Sequence, residues 1–271
     1  MLKVAFQGEH GAYSEAAAIT FFKDSIETIP YSTFHEVLES TESGKSDYAV
    51  LPVENSLEGI VGESNDLLLT TKLSVTGEIY HRIKHCLIGF QDLEKIDTVY
   101  SHPQALGQCR KFIQDHHLKA IPTYDTAGSV KILLELKKDN ISCIASKRAA
   151  EIYKAPIIKE GIEDNINNYT RFLVLSNRKQ ERTSKDKTSI IFSIKHVPGA
   201  LYSVLEKFHM NKINLTKIES RPTKATLWEY NFYVDFEGNQ NDKNIQDALE
   251  KIKPNTVFLK ILGSYPRAEL D

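Results

Sequence analysis

Short apolar stretches alternate with helical patterns along the first 176 residues. Apolar runs typical of buried strands are followed by stretches with apolar residues at helical spacing. The predicted strands are Lys3–Phe6, Tyr48–Val53, Ile79–Phe90, Thr98–Ser101, Ser142–Ala145 and Phe172–Leu175. The predicted helices are Ser14–Phe22 (with Ser14 as cap), Phe34–Ser43, Gln104–His116, Ala127–Lys138 and Lys147–Tyr153. This alternation predicts an α/β domain with mainly parallel sheets.

A charged segment separates this part of the chain from a second pattern. Asn177–Lys187 contains no large apolar residue, so it predicts a solvated linker. The elements predicted after it are strand Ser189–Ile194, helix Ala200–Met210, strands Leu215–Ser220 and Glu229–Phe236, helix Asn244–Ile252 and strand Val257–Leu262. Their βαββαβ order is typical of a ferredoxin-like module.

Composition narrows the classes of protein. Hydrophobic residues make up 41% and charged residues 26%, which is typical of a globular chain, and the 271 residues are enough for two domains. The 34 Lys and Arg nearly balance the 36 Asp and Glu. Because there is no basic excess, nucleic acid is not expected as a partner.

The cysteines and histidines do not predict a metal site. Cys86, Cys109 and Cys143 are scattered, which favours reduced thiols in a cytoplasmic protein over a disulfide framework or a zinc site. His81 and His85 would lie roughly 13 Å apart on one strand, too far for a shared metal. We interpret them as structural or exposed. No apolar stretch approaches the ~18 residues of a membrane helix, so no membrane association is expected.

Two polar motifs coincide with predicted helix starts. In SHPQALGQC, Ser101 and Gln104 fit a capping box, and Gln108 lies two helical turns after Ser101. A helix start after a strand suits a carboxylate ligand, although spacing alone favours an ordinary capped helix. The segment around Thr126 opens a helix in the same way. The glycine-containing turn Gln7–Gly11 lacks a nucleotide-binding fingerprint, so no nucleotide is expected.

Two further polar motifs flank predicted strands. Glu54, Asn55 and Ser56 follow an apolar strand, at the edge where α/β sheets bind ligands. Thr170 and Arg171 precede the strand that begins at Phe172, and an Arg there could clamp a carboxylate. A polar loop and a surface Arg are the simpler alternatives.

Taken together, these segments resemble the prephenate dehydratase family. The matching stretches are VAFQGEHGAYSE, LPVENSLEG, SHPQALGQC, DTAGS and NYTRF, in family order. The C-terminal module resembles the ACT regulatory domain through HVPGALYSVL and IESRP. The chain departs from the family at Glu9-His10, where a proline often stands, and at Ala12-Tyr13, where Thr-Phe is common.

The resemblance implies a fold and a domain division. Residues 1–176 would form a catalytic domain of two α/β lobes, like the type II periplasmic binding proteins. Lobe 1 would span about 1–78 and 161–176, and lobe 2 about 79–160. Residues 177–187 would be the linker and 188–271 the ACT domain. Because no chorismate mutase helix precedes Lys3, we expect a monofunctional enzyme.

The resemblance also implies a reaction. Prephenate would lose CO₂ and water to give phenylpyruvate, with no redox cofactor. The family assigns the departure of the hydroxyl to Thr170, while Glu54 is a rival acid if burial keeps it protonated. The residues expected to bind substrate are Asn55, Ser56, Ser101, Gln108, Thr126, Arg171 and Phe172. Arogenate dehydratase activity and a non-catalytic phenylalanine sensor are the alternatives.

Regulation by L-phenylalanine is implied as well. ACT modules resemble one another in pairing side by side, so a homodimer or a dimer of dimers is expected, with an effector pocket between subunits. The residues expected in that pocket are Gly199, Ala200, Leu201, Asn214, Leu215, Glu219, Ser220 and Arg221. A module that only dimerises is the alternative.

Overall fold

The computed structural model describes residues 1–23, 26–223 and 229–269. The chain forms two compact units. The first comprises Met1–Asn65 and Ile79–Phe172, and the second comprises Asp66–Glu78 and Leu173–Asp271.

The first sheet is built by the beginning of the chain. Its elements and the helices beside them are β1 (Leu2–Gln7), α1 (Tyr13–Phe22), β2 (Ile26–Tyr31), α2 (Phe34–Glu42), β3 (Tyr48–Asn55), β4 (Gly59–Ile60), α3 (Gly62–Thr70) and β5 (Ser74–Arg82). Strand β1 pairs in parallel with both β2 and β3. The central position of β1 explains why Val4, Ala5 and Phe6 are completely buried.

The second sheet follows along the chain. Its elements are β6 (Cys86–Ile88), β7 (Thr98–Ser101), α4 (Pro103–Gln108), α5 (Arg110–Asp115), β8 (Lys119–Pro122), α6 (Gly128–Leu136), β9 (Ile141–Ala145), α7 (Lys147–Tyr153) and β10 (Ile157–Glu160). The strand order is β10-β6-β9-β7-β8. The chain then returns as β11 (Tyr169–Ser176), which gives the first sheet the order β2-β1-β3-β11-β5, with β4 beside β3. The two sheets define two lobes.

The second unit carries the C-terminal module. Its elements are β12 (Asp186–Ser193), α8 (Ala200–Met210), β13 (Leu215–Pro222), β14 (Tyr230–Glu237), α9 (Lys243–Ile252) and β15 (Phe258–Pro266). The antiparallel sheet has the order β13-β14-β12-β15. Helices α8 and α9 contribute Phe208 and Leu249 to a core that includes Phe192 and Phe236 of the sheet. The predicted α/β fold class and the βαββαβ order are confirmed.

Three local predictions are wrong. The apolar stretch Ile79–Phe90 is two strands in different sheets, because β5 ends at Arg82 and β6 begins at Cys86. The first sheet therefore extends beyond residue 78, where we expected lobe 1 to stop. The helix predicted over Gln104–His116 is interrupted at the completely buried Cys109. Helix α1 has Ala12 rather than Ser14 at its N-cap.

The predicted linker is wrong at its C-terminal end. Asp186 and Lys187 belong to β12 and are buried. The Lys187 Nζ lies 2.6 Å from the Glu78 carboxylate, and Asp186 accepts a 2.6 Å hydrogen bond from the Asn239 amide. Charge alone does not decide exposure here, because each buried charge has a partner of opposite sign or a hydrogen bond.

We predict that Lys187→Ala destabilises the second unit, because it leaves the Glu78 carboxylate buried without this ammonium. The expected loss in the free energy of unfolding is about 3–5 kcal/mol. Urea unfolding followed by circular dichroism measures it. Lys185→Ala is the matched control: Lys185 and its partner Glu269 are both 77% exposed. Its expected loss is about 0–1 kcal/mol. Equal unfolding midpoints for the two variants would contradict the prediction.

Candidate active site

A cleft of about 370 Å³ lies between the two lobes of the first unit. Its apolar lining includes Phe34, Pro52, Val61, Ile83, Ala105 and Phe172. Its polar lining includes Tyr13, Ser14, Asn55, His85, His102, Gln104, Gln108, Tyr124, Asp125, Thr126, Ser146 and Thr170. Among the described residues, this lining contains no Lys or Arg side chain. The cleft can therefore hold a ring against its apolar wall and polar groups against neutral donors.

Strand alternation decides which predicted residues reach the cleft. Thr170 and Phe172 on β11 line it, whereas Arg171 between them does not. Successive side chains of a strand point to opposite faces. The buried Arg171 guanidinium instead lies 3.8 Å from the Glu54 carboxylate, and Glu54 does not line the cleft either. The geometry is therefore against Arg171 as a substrate clamp.

The Asn55 side chain has a fixed orientation. Its Oδ1 accepts hydrogen bonds from the backbone N–H groups of Leu57 (2.9 Å) and Glu58 (3.0 Å). Its Nδ2 must then point the other way, where it donates to Thr170 Oγ1 (3.0 Å) and Asn168 Oδ1 (2.8 Å). Because Thr170 Oγ1 accepts from Asn55, its own proton can be donated to a ligand in the cleft.

The same chain of hydrogen bonds crosses to the second lobe. The completely buried Asn168 donates from Nδ2 to Gln108 Oε1 (3.0 Å), and His85 Nε2 lies 2.9 Å from the same oxygen. His85 Nδ1 in turn lies 2.9 Å from the Tyr13 hydroxyl. We call Tyr13, His85, Gln108, Asn168, Asn55 and Thr170 the polar chain.

Thr126 and Asp125 form part of the opposite wall. The Asp125 carboxylate accepts the Gly128 N–H at 2.6 Å, which satisfies a free donor at the start of α6. Burial raises the pKa of Asp125, and the nearby Glu9 adds to this effect. Thr126 therefore lines the cleft beside a helix start, as predicted from its motif.

Two other predicted residues have structural contacts. Ser101 is completely buried and donates to the Ile144 carbonyl, and helix α4 is capped by His102 Nδ1, which accepts the Gln104 N–H. The predicted capping box is therefore wrong. Ser56 donates to the Asn167 carbonyl and accepts from the Tyr169 N–H, so it joins two loops. Neither serine lines the cleft.

The turn Gln7–Gly11 connects the lobes. Gly11 has a φ of +95°, and a Cβ at this position would lie 2.6 Å from the Cα of Ala149. Its carbonyl accepts from Ser146 Oγ at 2.6 Å. Lys131 of α6 pairs with Glu9 at 2.7 Å. Glycine is required here because the two lobes approach each other closely.

Sequence reasoning missed four residues of this site. Tyr13, His85, His102 and Asn168 line the cleft or complete the polar chain. Asn168 is the first residue of the NYTRF motif, so the motif could have indicated it as a site residue. No such motif marks His85. It lies where the chain crosses from β5 to β6, a stretch that we interpreted as the middle of one strand.

The described residues contain no group of His, Cys, Asp and Glu that could hold a metal ion. No helix within the described ranges is long and apolar enough to span a membrane. Cys86, Cys109 and Cys143 are free and buried, and burial raises the pKa of Cys86 to about 11.

Comparison with known proteins identifies the family. Residues 4–180 match the family model for prephenate dehydratase. The chain belongs to the prephenate dehydratase family. It is thereby a carbon–oxygen lyase. Residues 188–254 match the model for the ACT domain.

Three relatives illustrate the similarity. The prephenate dehydratase of Methanocaldococcus jannaschii is 41% identical, over 94% of this chain and 95% of the relative. Arogenate dehydratase 2 of Petunia hybrida is 39% identical, over 98% of this chain and 72% of the relative. The crystal structure of a prephenate dehydratase from Arthrobacter aurescens in complex with L-Phe has a TM-score of 0.89 and 31% identity, covering 98% of this chain and 90% of that one.

The ACT domain has a cavity of its own, of about 320 Å³, at the start of α8. Gly199, Ala200 and Leu201 line it, together with Tyr230 and Phe232 of β14. The other residues predicted for regulation do not line this cavity: Asn214, Leu215, Glu219, Ser220 and Arg221. They lie just before or on β13, an edge strand of the sheet. That Asn214 and Leu215 reach the effector pocket from the facing subunit stays a prediction.

We predict that Asn55→Asp lowers kcat for prephenate by about a hundredfold or more. A carboxylate oxygen in place of Nδ2 would take the Thr170 proton instead of donating to Thr170, and it would repel Asn168 Oδ1. Phenylpyruvate formation measures the loss. The control is Asn167→Asp, an exposed position whose contact to Ser56 uses the backbone carbonyl. Equal loss of kcat in both variants would show that the added charge, and not the lost donor, is responsible.

Proposed function

We propose that this cleft converts prephenate into phenylpyruvate, CO₂ and water, with the residues of the polar chain in the roles that follow. The observation that carries this proposal is the hydrogen bond from Asn55 Nδ2 to Thr170 Oγ1, 3.0 Å long and buried. It leaves the Thr170 proton available at the cleft surface. The apolar lining suits the substrate ring.

Thr170 acts as the donor to the leaving hydroxyl. When the ring carboxylate departs as CO₂, the electron pair of the broken C–C bond enters the ring, and the hydroxyl leaves with the electrons of its C–O bond. The negative charge that develops on this oxygen appears only in the transition state. A fixed donor at that point is worth about 3–4 kcal/mol in comparable sites. Solvent supplies the proton that completes the water.

The position of Glu54 favours Thr170 over Glu54 for this role. The Glu54 side chain is 38% exposed, lies near the Arg171 guanidinium and does not line the cleft. General acid catalysis requires a group within hydrogen-bond reach of the leaving oxygen. Thr170 meets this requirement from the cleft wall, whereas Glu54 lies beside Arg171 and does not line the cleft.

Neutral donors hold the carboxylates. Gln108 presents its Nε2 to the cleft, because its Oε1 already accepts from Asn168 and faces His85. The Thr126 hydroxyl lies on the same lobe and lines the cleft. A strong ion pair would stabilise the ring carboxylate in the ground state, but this group must leave as uncharged CO₂. Neutral donors avoid that ground-state stabilisation.

Arogenate is the second candidate substrate, since the Petunia relative is named an arogenate dehydratase. Arogenate carries an ammonium where prephenate has a ketone, and the half-buried Asp125 carboxylate in the cleft could receive it. Comparison of kcat/KM for the two substrates decides between them. A protein that forms neither phenylpyruvate from prephenate nor phenylalanine from arogenate would be a phenylalanine sensor instead.

We predict that Thr170→Ala lowers kcat for prephenate by about 10²–10³-fold, with KM little changed, because the lost donor acts in the transition state. The rate of phenylpyruvate formation measures it. Thr170→Ser is the matched variant, since it keeps the hydroxyl and should retain most of the turnover. Activity of Thr170→Ala within a few-fold of the wild-type value would rule out the role assigned to Thr170.

L-phenylalanine acts as an allosteric effector that binds at the start of α8, in a cytoplasmic enzyme that pairs through its ACT domains. The solved relative from Arthrobacter aurescens is a complex with L-Phe, which supports this role. The cavity beside Gly199 offers an apolar wall and lies at the N-terminus of α8. The exposed Ile218 on the edge strand β13 supports side-by-side pairing into a homodimer or a dimer of dimers. Effector and substrate then weaken each other's binding reciprocally.

We predict that Gly199→Ala weakens L-phenylalanine binding by roughly tenfold, because an alanine at a φ of +79° is strained by about 1–2 kcal/mol and shifts the start of α8. Turnover of prephenate without effector should stay within about twofold of the wild-type value. Calorimetry measures the affinity. Gly44→Ala is the matched control, with a φ of +76° and, like Gly199, no atom within 4 Å of an added Cβ. Unchanged affinity in Gly199→Ala would place the effector elsewhere.

A further inference from the structure

Helix α1 begins at the cleft without a side-chain cap. Its N-cap is Ala12, which has no side-chain oxygen to accept a hydrogen bond. Within the described ranges, the backbone N–H groups of Tyr13, Ser14 and Glu15 have no acceptor. Ala12, Tyr13 and Ser14 also line the cleft. The first turn of a helix carries free N–H groups and the positive end of the helix dipole, and both favour an anion.

The Ser14 hydroxyl is a further donor at this helix end. Ser14 is 8% exposed, and its Oγ has no hydrogen-bond partner among the described residues. In the same part of the chain, Ser64 Oγ is the only side-chain polar atom that is both fully buried and without a partner. Ser14 Oγ must therefore be accessible, and because Ser14 lines the cleft, it is accessible from there. A hydroxyl in such a buried residue is normally hydrogen-bonded, so this one indicates a ligand.

Two acidic side chains close to this part of the cleft have partners. The Glu15 carboxylate accepts the Gly11 N–H at 2.7 Å, lies 3.0 Å from Arg148 Nε and does not line the cleft. The Asp125 carboxylate does line it and accepts the Gly128 N–H at 2.6 Å. An anion at the start of α1 therefore meets N–H and O–H donors, and the charge of Glu15 is offset by Arg148.

We propose that the start of α1, together with the Ser14 hydroxyl, binds the side-chain carboxylate of the substrate. The identity of that carboxylate rests on the proposed function. The ring carboxylate must leave as uncharged CO₂, so a positive helix end beside it would stabilise the ground state. The side-chain carboxylate keeps its charge from substrate to product, so the same donors bind it throughout the reaction. Ser14 is then a substrate-binding residue that lowers KM and has little effect on kcat.

Binding of phenylpyruvate tests the site without turnover, because this product keeps the side-chain carboxylate. Ser14→Ala should weaken its binding by about tenfold or more, the effect of one hydrogen bond to a charged group. Binding of phenylpyruvamide should weaken by a smaller factor, because a neutral carbonyl accepts a weaker hydrogen bond. Calorimetry measures both affinities, and an unchanged affinity for L-phenylalanine shows that the ACT cavity is intact. Unchanged phenylpyruvate affinity, or equal losses for the two compounds, would overturn the proposal.

Ala12→Ser tests the N–H groups separately. Ala12 already has the extended backbone of an N-cap, so a hydroxyl there can accept the N–H of Ser14 or Glu15. The helix should become more stable while phenylpyruvate binding weakens severalfold. Thermal unfolding and calorimetry measure the two effects. Because a purely structural role predicts no loss of affinity, a higher unfolding midpoint with unchanged affinity would overturn the proposal.

Kinetics place the site in the reaction. Ser14→Ala should raise KM for prephenate by about tenfold, with kcat within about twofold of the wild-type value. Thr20→Ala is the matched control, because Thr20 is an exposed residue of the same helix whose hydroxyl donates to the Ala16 carbonyl. Its KM should be unchanged. Equal changes in the two variants, or a loss confined to kcat, would overturn the proposal.

The binding and kinetic measurements separate this proposal from the proposed function. If the wild-type protein formed no phenylpyruvate, the proposed function would be wrong. The comparison of phenylpyruvate and phenylpyruvamide would still test the carboxylate site at Ser14.

Discussion

Two backbone N–H groups after β3 fix the orientation of the hydrogen-bonded side chains along the cleft. Those of Leu57 and Glu58 both donate to Asn55 Oδ1, so the Asn55 amide has one orientation. An amide has distinct donor and acceptor ends, and each fixed amide therefore orients the next one. Through Asn168 this constraint reaches Gln108 in the other lobe. A short turn in one lobe thus sets the donors that both lobes present to the ligand.

The cleft lining contains no Lys or Arg among the described residues, and the arginine of the NYTRF motif lies elsewhere. Arg171 belongs to the NYTRF motif, yet its guanidinium lies 3.8 Å from the Glu54 carboxylate and outside the cleft lining. A decarboxylating site benefits from this arrangement, because a nearby cation would stabilise the carboxylate that has to leave. The Arg171 guanidinium and the Glu54 carboxylate lie 3.8 Å apart, and neither residue lines the cleft.

In the second unit, unlike in the cleft lining, Lys and Arg side chains pair with carboxylates. The ion pair of Glu78 and Lys187 is almost completely buried, and a backbone N–H at Ala268 also donates to Glu78. Arg221 of the IESRP motif lies 3.3 Å from Asp66, which belongs to the same unit. Glu78 and Lys187 compensate each other's buried charge, which is the condition under which such groups are tolerated. Lys187 of the predicted linker and Arg221 of the IESRP motif therefore each take part in an ion pair within the second unit.

The sequence by itself determined the regular elements and the order of the motifs. Apolar periodicity gave β7, α7 and α8 with the bounds that the structure has, because these elements bury one face and their period is local. The ordered motifs gave the family and brought Asn55, Gln108, Thr126 and Thr170 to one cleft. The period-2 alternation of strand side chains could also have predicted that Arg171 and Thr170 point to opposite faces of β11.

Only the tertiary structure joined Tyr13 to His85, which are 72 positions apart, and split Ile79–Phe90 between two sheets. Contacts of that kind depend on where the chain crosses between lobes, and a crossing leaves no periodic signal in an apolar stretch.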